Sequence, residues 1–97
     1  MEHDIQKLSS QDIEKALEQL QDRWGLREGK LFCRVECNGF SEVQMLVERI
    51  MRHAEEVHHH PDVLFSYKFV EVSLSTHDAG GVTDADIGFA AFIDSVA

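Results

Sequence analysis

Val63-Leu64-Phe65-Ser66-Tyr67-Lys68-Phe69 runs directly into Val70-Glu71-Val72-Ser73-Leu74-Ser75-Thr76, which leaves no room for a helix between two strand-like segments. In the second segment Val70, Val72 and Leu74 share one face, while Glu71, Ser73, Ser75 and His77 share the other. A period of two with one apolar face describes a half-buried strand, and it puts His77 on the polar face of a sheet. Strands that follow each other without a helical crossover pair antiparallel, and a sheet apolar on one side must be covered there.

Upstream, Leu31-Phe32-Cys33-Arg34-Val35-Glu36-Cys37 alternates in the same way and follows a Glu28-Gly29-Lys30 turn. A short strand around Leu26 is only weakly signalled. From Ser9 to Asp22, Ile13, Leu17 and Leu20 recur at helical spacing, with Asp12 placed to complete a capping box with Ser9. After Asn38-Gly39, Ser41 opens a second helical pattern through Val43, Leu46, Ile50, Ala54 and Val57. Pro61 ends it near the histidines, because the residue before a proline is pushed out of helical geometry. Gly80-Gly81 breaks the chain again, and Thr83-Asp84-Ala85-Asp86 begins a final helix carrying Ile87, Ala90, Ala91, Ile93 and Val96.

The expected architecture is α+β: a single layered domain over 1–97, with an antiparallel sheet of about four strands and about three helices on one face. No repeat or low-complexity tract interrupts it. Apolar residues make up 43% and charged residues 28% of the 97 positions, the balance of a folded domain. A chain this short buries a modest core, so association with copies of itself is a natural way to bury more.

The net charge of −9 argues against a surface that neutralises phosphates, so direct binding to nucleic acid or to an anionic membrane is not expected. The first residues lack a basic segment leading into an apolar one, and no apolar run is long enough to span a bilayer. The expectation is a soluble protein of the cytoplasm. Cys33 and Cys37, four apart on a strand, would hold their α-carbons roughly 13 Å apart, beyond disulfide reach. They read as small core residues in a reducing compartment.

Four of the six histidines, His58, His59, His60 and His77, fall at the ends of central elements, where side chains from separate segments can meet. Imidazole exchanges protons near neutral pH, so such a cluster beside a carboxylate such as Glu55 suits acid–base chemistry. A metal site is the rival reading, since imidazole also binds zinc, copper and nickel. It is disfavoured because three consecutive histidines do not readily aim at one ion, and no Cys-x-x-Cys is present. A third reading makes some of them caps or surface decoration, most of all His58; His3 and His53 are assigned to tail or surface. No Gly-rich phosphate loop occurs, so no nucleotide cofactor is expected.

The run Glu55-Glu56-Val57-His58-His59-His60-Pro61, then Tyr67, then Ser75-Thr76-His77-Asp78-Ala79-Gly80-Gly81 and Asp86 resembles the signature of the pterin-4a-carbinolamine dehydratases. The likeness extends more loosely through Trp24, the Glu28-Gly29 turn, Phe40 and the terminal helix. Val63 stands where many members carry Trp or Phe, which bears on the shape of the pocket wall, and His58 stands where other residues are common.

The resemblance implies a hydro-lyase that dehydrates 4a-hydroxytetrahydropterin to quinonoid dihydropterin. That step returns tetrahydrobiopterin to the recycling path of an aromatic amino-acid hydroxylase, the implied pathway partner. It implies no cofactor and no metal, and a homodimer or homotetramer. By the same resemblance His59, His60 and His77 are the catalytic histidines, with His59 and His77 the principal proton movers. Trp24, Glu55, His58 and Asp86 belong to the substrate site, and Ser75, Thr76 and Asp78 hold the pyrimidine edge through their backbone. Asp86, third after Thr83, is placed at least as well to complete a capping box as to act directly in catalysis, and both hold if it also orients His77. The alternative from the same relatives is a non-catalytic binding module, either a dimerisation cofactor of a transcription factor or an assembly chaperone.

Overall fold

The computed structural model describes residues 6–97; His3 lies outside them. Helix α1 spans Ser10–Glu18, strand β1 Trp24–Arg27, β2 Lys30–Glu36, helix α2 Phe40–Val57, β3 Asp62–Phe65, β4 Phe69–Leu74 and helix α3 Asp84–Val96. A single 3₁₀ turn, His77–Ala79, follows β4. The four strands form one antiparallel sheet in the order β1-β2-β4-β3. Although α2 carries the chain from β2 to β3, the sheet stays antiparallel because β4 is inserted between them.

The alternation in β2 and β4 sets the layers. Leu31, Cys33 and Val35 face Leu74, Val72 and Val70 in register, and all six are buried. Ile13 of α1, Val43, Leu46, Ile50 and Ala54 of α2, and Phe89, Ala90 and Ile93 of α3 cover that face, as the expected α+β layering requires. On the other face Arg34 bridges Glu36 and Glu71 and lies 3.6 Å from the centre of the Phe69 ring. Such exposed ion pairs contribute little stability, and the buried side dominates.

Several boundaries differ from the sequence reading. The expected strand from Val63 to Phe69 is divided: β3 stops at Phe65, and Ser66 N–H donates to the Phe69 carbonyl at 3.0 Å, closing a turn around Tyr67. Helix α1 ends at Glu18 rather than Asp22, and the Gln21 N–H is instead taken by the Asp94 carboxylate at 2.8 Å. At its start Ser9 accepts from the Asp12 N–H, one half of the expected box. The short segment around Leu26 is a strand, β1, paired with β2.

Helix α2 begins at Phe40 behind Gly39, which provides no side-chain cap. The Glu42 carboxylate compensates by accepting from the Asn38 backbone and side-chain N–H groups at 2.9 and 3.1 Å, and these bonds hold its pKa below the ordinary value. At its other end His58 takes the left-handed conformation, φ 54 and ψ 44. The N–H of His59 returns to the Ala54 carbonyl at 3.1 Å, a left-handed helix stop from which the chain runs on to β3. His53, expected at the surface, instead packs between α2 and α3, stacked on Phe92 with ring centroids 3.8 Å apart and edge-on to Phe89 at 4.8 Å.

Candidate active site

The end of α2, the exit of β4 and the start of α3 converge on an open cavity of about 710 Å³, within the roughly 300–1,000 Å³ typical of ligand sites. His58, His59 and His60 enter it from the end of α2. Ser75, Thr76, His77 and Asp78 enter from the segment after β4, and Thr83, Asp84 and Ala85 from the start of α3.

His77 does not sit on the sheet's polar face as the alternation implied. After Leu74 the chain leaves the sheet, and the Thr76 N–H donates to the Gly81 carbonyl at 2.8 Å, closing a loop. Gly80, at φ 76, supplies the left-handed residue this closure needs. His77 therefore heads a 3₁₀ turn and is directed to the cavity, where it is exposed.

Asp86 is the buried centre of the site, with no exposed surface. Its Oδ2 accepts from the Thr83 N–H at 2.8 Å and from the Thr76 hydroxyl at 2.9 Å, and its Oδ1 lies 2.5 Å from His59 Nε2. Thr83 Oγ1 accepts in turn from the Ala85 N–H, which completes a capping box at the head of α3. The hydroxyls of Thr76 and Thr83 are 2.7 Å apart, so both join the same network. A carboxylate out of water is tolerated because its oxygens are satisfied, here by a backbone N–H, a hydroxyl and an imidazole. The helix N-terminus adds a favourable dipole. Asp86 thus caps the helix and orients an imidazole at once, but the imidazole is that of His59 rather than His77.

His60 and Glu55 meet at 2.8 Å between Nε2 and Oε2, with both side chains largely in solvent. Glu55 does not line the main cavity; with His60 it borders a smaller apolar one, about 320 Å³, walled by Ile50, Met51, Ala54, Pro61 and Val63. Trp24 is not brought to the cavity within one chain. It is 7% exposed, and its indole N–H donates to Asp94 at 2.9 Å on the α3 side of the core. The sequence reading did not assign Gln6, Val57, Thr83, Asp84 or Ala85 to the cavity; Val57 and the Thr83–Ala85 run were read only as parts of helices, and Gln6, ahead of α1, had no signal at all.

Among the described residues no cluster of three or more His, Cys, Asp or Glu side chains is arranged to hold a metal ion. The carboxylates Asp86 and Glu55 are each engaged by a different imidazole. No helix of the described residues is long and apolar enough to cross a membrane.

Comparison with known proteins identifies the family. The family model described as pterin 4 alpha carbinolamine dehydratase matches residues 6–96. A relative from Nostoc sp., named for the same dehydratase, is 37% identical over 91 residues, which cover 94% of this chain and 97% of the relative. One from Burkholderia multivorans is 37% identical over 95 residues, covering 96% and 92%. A crystal structure from Brucella melitensis, described as a transcriptional coactivator/pterin dehydratase, superposes with a TM-score of 0.88 at 29% identity, over 94% of this chain and 98% of that one. A pterin dehydratase-like protein identified as a RuBisCO assembly factor in the alpha-carboxysome shares the fold, with a TM-score of 0.63 at 23% identity over 76% and 86% of the two chains. With a family model matched over nearly its whole length, and relatives this similar end to end, the chain belongs to the pterin 4 alpha carbinolamine dehydratase family.

Proposed function

We propose that this protein dehydrates 4a-hydroxytetrahydropterin to quinonoid dihydropterin, using imidazoles as acid and base. The observation that carries the reading is the meeting of His59, His60 and His77, from two separate segments, in one open cavity, with His59 anchored by the buried Asp86.

In the reaction the C–O bond to the leaving hydroxyl breaks, its electron pair stays on oxygen, and a donated proton completes water. The neighbouring N–H gives up its proton to a base, and its electrons form the new C=N bond. No electron passes to another molecule. Each proton transfer assisted by a placed side chain contributes roughly 10²–10⁴-fold. His59 takes the accepting role, because the Asp86 carboxylate against its Nε2 stabilises the imidazolium formed, as the carboxylate does in a hydrolase triad. His77 donates to the departing hydroxyl, and His60, steadied by Glu55, positions it. The backbone of Ser75, Thr76 and Asp78 holds the pyrimidine edge, and His58 contributes only to the cavity wall.

The same reading places the protein in the cytoplasm, in the recycling of tetrahydrobiopterin behind an aromatic amino-acid hydroxylase. It also makes the whole chain one domain acting as a homodimer or homotetramer. The free edge of β3, with Leu64 and Phe65 about half exposed, favours association.

The non-catalytic reading finds support in the coactivator half of the Brucella relative's description. A scaffold has no chemical need for the histidines and their buried carboxylate, which favours the enzyme. The deciding experiment adds the purified protein to chemically generated carbinolamine and follows dehydration by absorbance. Acceleration above the spontaneous rate is expected; a rate equal to the background would replace the enzyme with the binding module.

A further inference from the structure

Gln6 stands in the cavity wall, although it lies outside every motif that marks the site. Its position is set by the two residues after it. The Leu8 N–H donates to the Val82 carbonyl at 2.8 Å, fastening the segment ahead of α1 to the loop that carries His77 into the site. Beside that bond the exposed stem of Lys7 lies across Gly81. The Leu8–Val82 hydrogen bond therefore holds this segment against the Gly81-Val82 loop, two residues from Gln6 in the cavity wall.

From this arrangement we infer that Gln6 is a substrate-positioning residue, its carboxamide hydrogen-bonding a polar edge of the bound pterin ring. A primary amide offers two N–H donors and one acceptor, which suits a heterocycle whose edge alternates N–H groups with ring nitrogens and a carbonyl oxygen. The inference rests on the dehydratase reading for the identity of the ligand. It adds a contact from a segment remote in sequence from the histidines. Because this contact is made equally by substrate and transition state, it acts on binding rather than on the chemical step.

The test uses the full chain and 6-methyl-dihydropterin, a stable probe without side-chain hydroxyls, so that any lost contact is to the ring. Gln6→Ala is expected to weaken binding of the probe and to raise KM for the carbinolamine by roughly 3- to 10-fold, with kcat within about twofold. A thermal melt on the variant separates misfolding from lost contact. Unchanged probe affinity and KM in a folded Gln6→Ala protein would overturn the inference while leaving wild-type turnover intact. A wild-type protein that binds the probe but does not accelerate dehydration would fail the dehydratase reading alone.

Discussion

Asp86 Oδ1 lies 2.5 Å from His59 Nε2, joining a helix cap to an imidazole 27 residues earlier in the chain. Because the same carboxylate accepts from the Thr83 N–H and the Thr76 hydroxyl, the helix cap and the imidazole contact fall on one buried side chain. Asp86→Asn keeps the shape and removes the charge. Turnover is expected to fall by about 10²-fold or more, through a misoriented and unstabilised imidazole, while the protein remains folded. Asp86→Ala leaves buried donors unpaired as well, and is expected to cost roughly 3–5 kcal/mol of stability. Absorbance kinetics and thermal melts read the two effects; full activity in a folded Asp86→Asn protein would remove the carboxylate from the mechanism.

His59→Ala and His77→Ala should each lower turnover by roughly 10²–10⁴-fold, and the double variant by less than the product, since the two act as a unit. Wild-type turnover in both single variants, with assembly intact, would refute the acid–base assignment. The spontaneous dehydration rate has to be subtracted throughout.

His58 offers a contrast, because its left-handed backbone and not its ring is what the helix stop requires. His58→Gly is expected to stabilise the protein by about 1 kcal/mol and His58→Ala to leave activity nearly unchanged. A large activity loss in His58→Gly would return the ring to the mechanism.

Proton transfer between imidazoles and substrate needs no Lewis acid, so activity should survive exhaustive chelation. Loss of turnover with a chelator, restored by a single divalent metal, would contradict this.

Burial pushes the Cys33 thiol from its ordinary 9.0 up to about 12, with Asp94 adding to the rise and Arg23 opposing it. The folded protein should therefore resist alkylation at Cys33 near pH 8, reacting only on unfolding, while half-buried Cys37 reacts slowly. The unfolded chain releases the Cys33 proton first, so its contribution to stability is complete below about pH 9 and is lost as pH rises toward 12. Mass spectrometry after timed alkylation checks the first claim, and denaturant midpoints across alkaline pH check the second.

Sequence periodicity was enough for the layers. The alternation of Val70, Val72 and Leu74 against Leu31, Cys33 and Val35 determined which side of the sheet is buried, because side-chain direction along a strand is local. Helix α2's apolar spacing and Pro61 likewise determined that the helix would stop near the histidines. Tertiary structure alone decided where His77 points, since the Thr76–Gly81 pairing takes the chain off the sheet one residue before the alternation would have used it. It also decided that Asp86 serves His59, that Trp24 turns to Asp94, and that Gln6 reaches the cavity. These are contacts between segments distant in sequence, and their partners follow from how the layers stack, which no local spacing of residues encodes.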